Sequence, residues 1–144
     1  MRTRPRGYFR DIVTPNYDEF IKIYEFGVFN NKGDVTILFS KLVNLCLTVN
    51  HQSDKVVESL EGIKNSCDLI KRIKEIRKNE GNALEVIRIF SNDLKHNANK
   101  ELRIEIKEDN GKEKPEWYFL NRNSEKVKIC ESAIIAYHFW NDCF

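Results

Sequence analysis

The chain has 144 residues, of which 41% are hydrophobic and 32% are charged, and its formal net charge is +2. This length supports one domain with a core that needs no disulfide or metal, and the composition excludes a disordered chain. So small a net charge excludes a protein that attracts nucleic acid through bulk charge alone. The four cysteines form no C-x-x-C pair, which argues against a zinc site and favours a reduced cytoplasmic protein. We expect neither a metal nor a cofactor.

The first residues are basic rather than apolar. Arg4, Arg6 and Arg10 lie within residues 1–12, where a proline and a glycine discourage a helix, so a basic N-terminal arm is expected. The arm is either a solubilising tail or a clamp on phosphate groups. No apolar run follows it, which predicts no signal peptide. The longest apolar stretch, residues 37–49, is too short and too polar to span a bilayer, so no membrane association is expected.

Four helices are predicted after the arm. Thr14–Pro15 starts the first helix, and Asp34 caps the second, which is apolar most of the way round and is therefore expected to be the most buried. The polar residues 50–53 close the second helix, and the third runs from about 55 to 79. Gly81–Asn82 interrupts the pattern before the fourth helix begins.

The hydrophobic period then changes from that of a helix to that of a strand. Ile104 and Ile106 alternate with charged residues, which predicts a half-buried strand. An Asp-Asn-Gly turn follows, so a β-hairpin is expected at about 101–121. A last helix is predicted from about Glu131. The sequence therefore predicts a mainly α fold: one helical domain over residues 13–144, a bundle of four to five helices with the hairpin inserted before the last helix.

A polar segment, residues 91–100, ends the fourth helix and holds one of the three histidines. His96 can act as a general acid or base, because histidine titrates near neutrality. Lys95 can stabilise charge on a phosphate, and Asn92 lies four residues before His96, on the same side of a helix. Metal-free RNA cleavage needs groups of these kinds. The alternative is a helix C-terminus that simply runs into a loop.

Further cations lie on the polar face of the third predicted helix. They form either a solvated face or a stripe that binds RNA or a partner. The residues expected to contact nucleic acid or a partner are Asn92, Asp93, Asn97, Arg4, Arg6, Arg10, Lys71, Lys74 and Lys78.

The segment Asn92-Asp93-Leu94-Lys95-His96, together with a closing helix that carries Phe139–Trp140, resembles the HEPN superfamily (higher eukaryotes and prokaryotes nucleotide-binding domain). The resemblance implies a helical bundle, often a homodimer with the motif at the subunit interface, in toxin–antitoxin, CRISPR or phage-defence systems. Many such proteins are ribonucleases, and others have lost activity. Their catalytic pattern is an arginine, four to six residues, and then a histidine. His96 matches it, whereas Arg88, the nearest arginine, lies one residue too far away.

Three functions are consistent with these observations. The first is a HEPN-like module of a bacterial or phage defence or toxin–antitoxin system that binds RNA or a partner protein such as an antitoxin, with weak or absent catalysis. The second is an active metal-independent endoribonuclease that uses His96 with Arg88 or Lys95. The third is an interaction or inhibitor protein with no role on nucleic acids, for which residues 117–119 of the hairpin would form an exposed apolar surface. Whether the protein is an enzyme stays open.

Overall fold

The structure is a computed structural model that describes residues 4–27, 32–96 and 101–144. The helices are α1 (Pro5–Tyr8), α2 (Thr14–Phe26), α3 (Lys32–Ser59), α4 (Ser66–Ile76), α5 (Lys78–His96) and α6 (Ile129–Cys143), and a π-helical segment, Phe9–Val13, joins α1 to α2. The strands are β1 (Arg103–Asp109), β2 (Lys112–Leu120) and β3 (Lys126–Lys128). The predicted mainly α fold, with a hairpin before the last helix, is confirmed.

Helix α3 is the centre of the bundle. Its apolar residues recur at spacings of three and four, so that they share the face that the other helices cover. The residues of α3 whose side chains are completely buried include Leu38, Leu42, Leu45, Cys46 and Val49. The prediction that this helix would be the most buried is wrong, because eight of the 15 residues of α6 are buried, a larger share than in α3.

Helix α3 is also longer than predicted. Residues 50–53 were expected to end it, but the helix continues to Ser59. Gln52 and Ser53 are buried, and Gln52 Nε2 donates a hydrogen bond to the carbonyl oxygen of Pro5 at 3.0 Å. No glycine or proline stands in this segment, so nothing in the backbone stops the helix.

The third predicted helix, 55–79, is divided among the end of α3, a loop, α4 and the first residues of α5. Gly62 lies in the loop with φ +79°, a conformation that favours glycine. The break before α5 falls at Arg77, with φ −134° and ψ 86°, and not at Gly81–Asn82 as predicted. Gly81 is buried inside α5 instead.

The expected basic arm is wrong for residues 5–12, because this stretch is helical and continues into α2. Phe9 and Val13 lie four residues apart on one face and belong to the core. The Phe9 ring stacks on Tyr137 of α6, with centroids 5.2 Å apart. The folded domain therefore includes most of the predicted arm.

The three strands form an antiparallel sheet in the order β1-β2-β3. The third strand was not predicted. The hairpin turn has positive φ at Asn110 (53°) and Gly111 (75°), as a two-residue type I′ turn requires. The aromatic residues Trp117 and Phe119 are 7% and 5% exposed, so the prediction of an exposed apolar surface at 117–119 is wrong for them.

Strand β1 has the predicted alternation but buries the opposite face. Ile104 and Ile106 are 46% and 52% exposed, whereas Glu105 and Lys107 are partly buried. The reason is that the charged face of β1 lies towards the bundle: the Lys107 ammonium sits over the Tyr24 ring of α2, 5.6 Å from its centroid.

Candidate functional site

The polar segment lies at the C-terminal end of α5. His96 and Lys95 are exposed in its last turn, and Asn92 and Asp93 are partly buried about one turn earlier. Asn97 lies outside the described residues.

The structure does not bring Arg88 to His96. Both residues belong to one uninterrupted helix, so helical rise separates their Cα atoms by about 12 Å. Arg88, Lys95 and His96 share a side of α5, because spacings of seven and eight residues are close to two turns. This arrangement offers positive charge along a helix face.

The three N-terminal arginines are exposed and lie on or beside α1. Arg10 is engaged locally: its guanidinium bonds to the carboxylate of Asp11 at 2.8 and 3.0 Å. This pairing raises the pKa of Arg10 and lowers the pKa of Asp11. Arg4 and Arg6 have no ion-pair partner within the described ranges.

The predicted lysine stripe is split by the turn at Arg77. Lys71 is exposed on α4, near the loop that contains Gly62. Lys78 is exposed at the start of α5, on a different helix. Lys74 is partly buried on α4 and forms an ion pair with Glu85 of α5. These cations therefore do not form one continuous surface.

A groove of about 560 Å³ lies between α5, α6 and the chain that joins β2 to β3. Its apolar lining residues are Ala83, Val86, Ile89, Phe119, Val127 and Ile135. Its charged lining residues are Lys74, Glu85, Arg122, Lys126, Lys128 and Glu131. Four cations and two carboxylates therefore surround a floor that is mostly aliphatic.

Two of the groove's cations have no ion pair in the described part of the chain. Lys126 donates to the carboxylate of Glu105 at 2.5 Å, which satisfies it across the sheet. Arg122 and Lys128 have no such carboxylate within 4 Å. The carboxylate of Glu131 has no ion pair among the described residues either, so the unpaired groups of the groove sum to a charge of +1, which an anionic ligand would complement.

The loop that carries Arg122 is held by its own hydrogen bonds. Asn121 Oδ1 accepts from the backbone N–H groups of Asn123 (2.9 Å) and Glu125 (3.0 Å). The N–H of Ser124 donates to the carbonyl oxygen of Asn121 at 3.0 Å. Such an Asx-type turn fixes the backbone from which the guanidinium projects.

The α6 wall of the groove is anchored by a buried carboxylate. Glu116 of β2 is completely buried and accepts the backbone N–H groups of Cys130 (2.7 Å) and Glu131 (2.9 Å) at the start of α6. These N–H groups have no partner within the helix. Burial raises the pKa of Glu116 despite the hydrogen bonds. Glu116 thereby fixes the end of α6 that presents Glu131 and Ser132 to the groove.

The α5 wall of the groove leads towards the polar segment. Ile89 lines the groove, and Asp93 and His96 follow it four and seven residues later. Residues with these spacings occupy one face of a helix. A ligand that extends along this face beyond the groove would approach Asp93 and His96.

The sequence did not predict the cations on the β2–β3 side of the groove. Arg122, Lys126 and Lys128 come from a loop and a strand that were not predicted. The alternation Lys126-Val127-Lys128 is the signal that favours a short strand there, although three residues are too few to be decisive.

In the described ranges, no cluster of three or more His, Cys, Asp or Glu side chains is suited to hold a metal ion. The helices described include none with the length and apolar character needed to cross a membrane. Comparison with known protein families, with characterised proteins and with solved structures gives no match.

Proposed function

We propose that this protein is a non-catalytic, HEPN-like binding module whose groove holds an acidic amphipathic segment of a partner protein. The observation that carries the proposal is the basic rim over an aliphatic floor between α5, α6 and the β2–β3 loop. The resemblance to HEPN proteins adds the expectation that the partner is an antitoxin or another component of a defence system.

The groove suits a ligand with one apolar side and one anionic side. Apolar side chains inserted against Val86, Ile89 and Ile135 would lose their contact with water, which favours binding. Carboxylates on the flanks of the same segment would meet Arg122 and Lys128. An amphipathic helix that lies in a groove is a common mode of peptide recognition.

The groove suits a protein segment better than single-stranded RNA. RNA-binding surfaces that accept unpaired bases usually stack them on exposed aromatic rings. Phe119 is the one aromatic residue that lines the groove in the described chain, and it is only 5% exposed. The floor therefore offers aliphatic contacts rather than a stacking surface.

Ribonuclease activity is the competing function. Its support is the exposed His96 beside Lys95 on α5, and its weakness is the separation of about 12 Å between the Cα atoms of Arg88 and His96. We therefore expect wild-type protein in EDTA to leave RNA intact, as judged by gel electrophoresis. Cleavage that is lost in a stably folded His96→Ala variant would contradict the non-catalytic proposal.

The binding proposal is tested by fluorescence anisotropy with three labelled probes. The first is a designed helical peptide with Leu at every third or fourth position and Glu elsewhere. The second has Lys in place of Glu, and the third is a uridine oligonucleotide. We expect the wild-type protein to bind the acidic peptide most tightly, with an affinity that falls as salt is added. Equal binding of the two peptides, or tighter binding of the oligonucleotide, would contradict the proposal.

A further inference from the structure

Strand β1 is an edge strand with an exposed face. It pairs with β2 on one side, and no described element pairs with its other side. Ile104 and Ile106, which point to the same face of the sheet, are about half exposed. An unpaired edge of this kind is a template for another strand.

The hairpin register shows which backbone groups of β1 are free. Asp109 faces Lys112 across the two-residue turn, and residues that flank such a turn exchange both hydrogen bonds. Bonded and non-bonded pairs then alternate along the ladder, so Ile104, Ile106 and Glu108 direct their N–H and C=O groups away from β2. Pro115 faces Ile106, and it lacks an N–H group, as this non-bonded position allows.

We propose that a second copy of this chain pairs with β1, strand to strand and antiparallel, with Ile106 facing its own counterpart on the two-fold axis. In this register Arg103 faces Asp109 of the second copy, and Glu105 faces its Lys107. The symmetry repeats both contacts, so every charged pair in the ladder joins opposite charges. The free backbone groups also match. The even-numbered residues, whose N–H and C=O groups point away from β2, face even-numbered residues of the second copy and can bond to them.

Neighbouring registers lack this complementarity. A shift of the pairing that brings Glu105 against its own counterpart also opposes Arg103 to Lys107. A shift in the other direction opposes Lys107 to itself and Glu105 to Asp109. Like charges directly opposite each other destabilise a strand pair. A larger shift that centres on Ile104 restores opposite charges, but it leaves only residues 103–105 of each strand paired.

The charged groups of β1 can form further ion pairs with the second copy. Glu105 already accepts from Lys126 at 2.5 Å, and Asp109 accepts from Lys114 at 3.0 Å. A carboxylate has two oxygens and accepts more than one donor. In the part of the chain that the structure describes, Arg103 has one carboxylate within 4 Å, that of Glu101 at 3.8 Å, and it is exposed.

Cysteine cross-linking tests both the dimer and its register. The full chain carries Cys67→Ser and Cys143→Ser, which leaves only the buried Cys46 and Cys130. Ile106→Cys is compared with Ile104→Cys under mild oxidation. The two sites are matched, since they point to one face and have exposures of 52% and 46%.

The proposed register predicts different outcomes at the two sites. The Cα atoms of residue 106 would lie about 5.5 Å apart, within the range that a disulfide spans. Residue 104 and its counterpart would be offset by four residues, or about 14 Å along the strands. We expect Ile106→Cys to give covalent dimer and Ile104→Cys to give little.

Any other cross-linking result would overturn the register. Equal yields at the two sites, a higher yield at residue 104, or no cross-linking at either site would each do so. Sedimentation equilibrium of the unmodified chain supplies an independent measurement. We expect the mass to rise with concentration from 17.0 kDa towards twice that value, and a monomer at every concentration would overturn the dimer itself.

Discussion

At the scale of single residues, Glu116 is the one charged side chain that is buried among the residues that the structure describes. Its carboxylate is completely buried, and it bonds to the first free N–H groups of α6. The positive end of the helix dipole favours the charged carboxylate, whereas burial favours the neutral form. Burial dominates, so the pKa of Glu116 lies above the ordinary value of a glutamate.

The raised pKa predicts how the stability attributable to Glu116 depends on pH. In the folded protein the carboxyl group holds its proton more tightly than in the unfolded chain, so protonation stabilises the fold. This contribution is fully present below the unfolded pKa, 4.5, and is lost as pH rises through the folded pKa. We expect the unfolding free energy of wild type, relative to Glu116→Gln, to increase as pH falls from 7.5 towards 5.

Urea denaturation of both proteins across this pH range measures the effect. Other groups also titrate, such as Asp11, Glu80 and Glu105, whose pKa values are lowered. Their contributions to the unfolding free energy cancel in the difference between wild type and variant. A difference that is constant with pH, or that shrinks as pH falls, would show that the pKa of Glu116 is not raised in the folded state.

At the scale of elements, Gly81 explains how α4 and α5 pack closely. A Cβ atom at this position would lie 2.5 Å from Cγ and 2.7 Å from Cα of Lys74. Backbone atoms cannot give way as a flexible side chain does, so the two helices approach each other only because residue 81 lacks a side chain.

Gly81→Ala should therefore destabilise the protein, although alanine is the better helix former. We expect a loss of about 1–3 kcal/mol of unfolding free energy from overpacking. The adjacent Asn82→Ala, at an exposed position of the same helix, is the matched control and should change stability by no more than about 0.5 kcal/mol. Thermal and urea unfolding measure both variants. A stabilised Gly81→Ala variant would contradict the close approach of α4 and α5.

The sequence indicated the class of the fold, because the helical apolar period is strong and the hairpin turn is specific. It did not indicate where two helices end. Gln52 and Ser53 suggested a helix end by their polarity, but contacts from distant residues bury them inside α3. Gly81 suggested a break by its propensity, although it serves helix packing. Local propensity is overruled in both cases by tertiary structure.

Strand β1 shows a different limit of sequence reasoning. The alternation of Ile104 and Ile106 with charged residues predicts a strand correctly, but the period alone does not say which face the bundle covers. The Lys107 side chain lies against Tyr24 through a cation–π contact, and this contact depends on a residue more than eighty positions away.

The groove was beyond prediction because three separate parts of the chain build it. Ile89 of α5, Lys128 of β3 and Ile135 of α6 meet only after folding. The residues that sequence reasoning selected, His96 and Lys95, lie on the same helix but not in the groove lining.

At the scale of the whole molecule, the two proposed surfaces use opposite edges of the sheet. Strand β3 and the loop before it line the groove, whereas β1 forms the other edge. A dimer formed through β1 would therefore leave both grooves open. The ion pair between Lys126 and Glu105 connects the two edges across β2.

The central claim is that the groove's own cations hold an acidic partner segment, and charge reversal tests it most directly. Arg122→Glu with Lys128→Glu changes the net charge by −4. Lys22→Glu with Lys71→Glu, at exposed positions outside the groove, changes it by the same amount. Equal melting temperatures would show that both double variants are folded.

The measurement is the Kd of each double variant for the acidic peptide, by fluorescence anisotropy at one salt concentration. Two exposed ion pairs contribute roughly 0.4–2 kcal/mol, so their loss raises Kd by about twofold to thirtyfold, and reversal adds repulsion. We predict that the groove variant loses at least about tenfold in affinity, while the control loses less than about twofold. Equal losses in the two variants would show that binding follows net charge and would contradict the account of the groove.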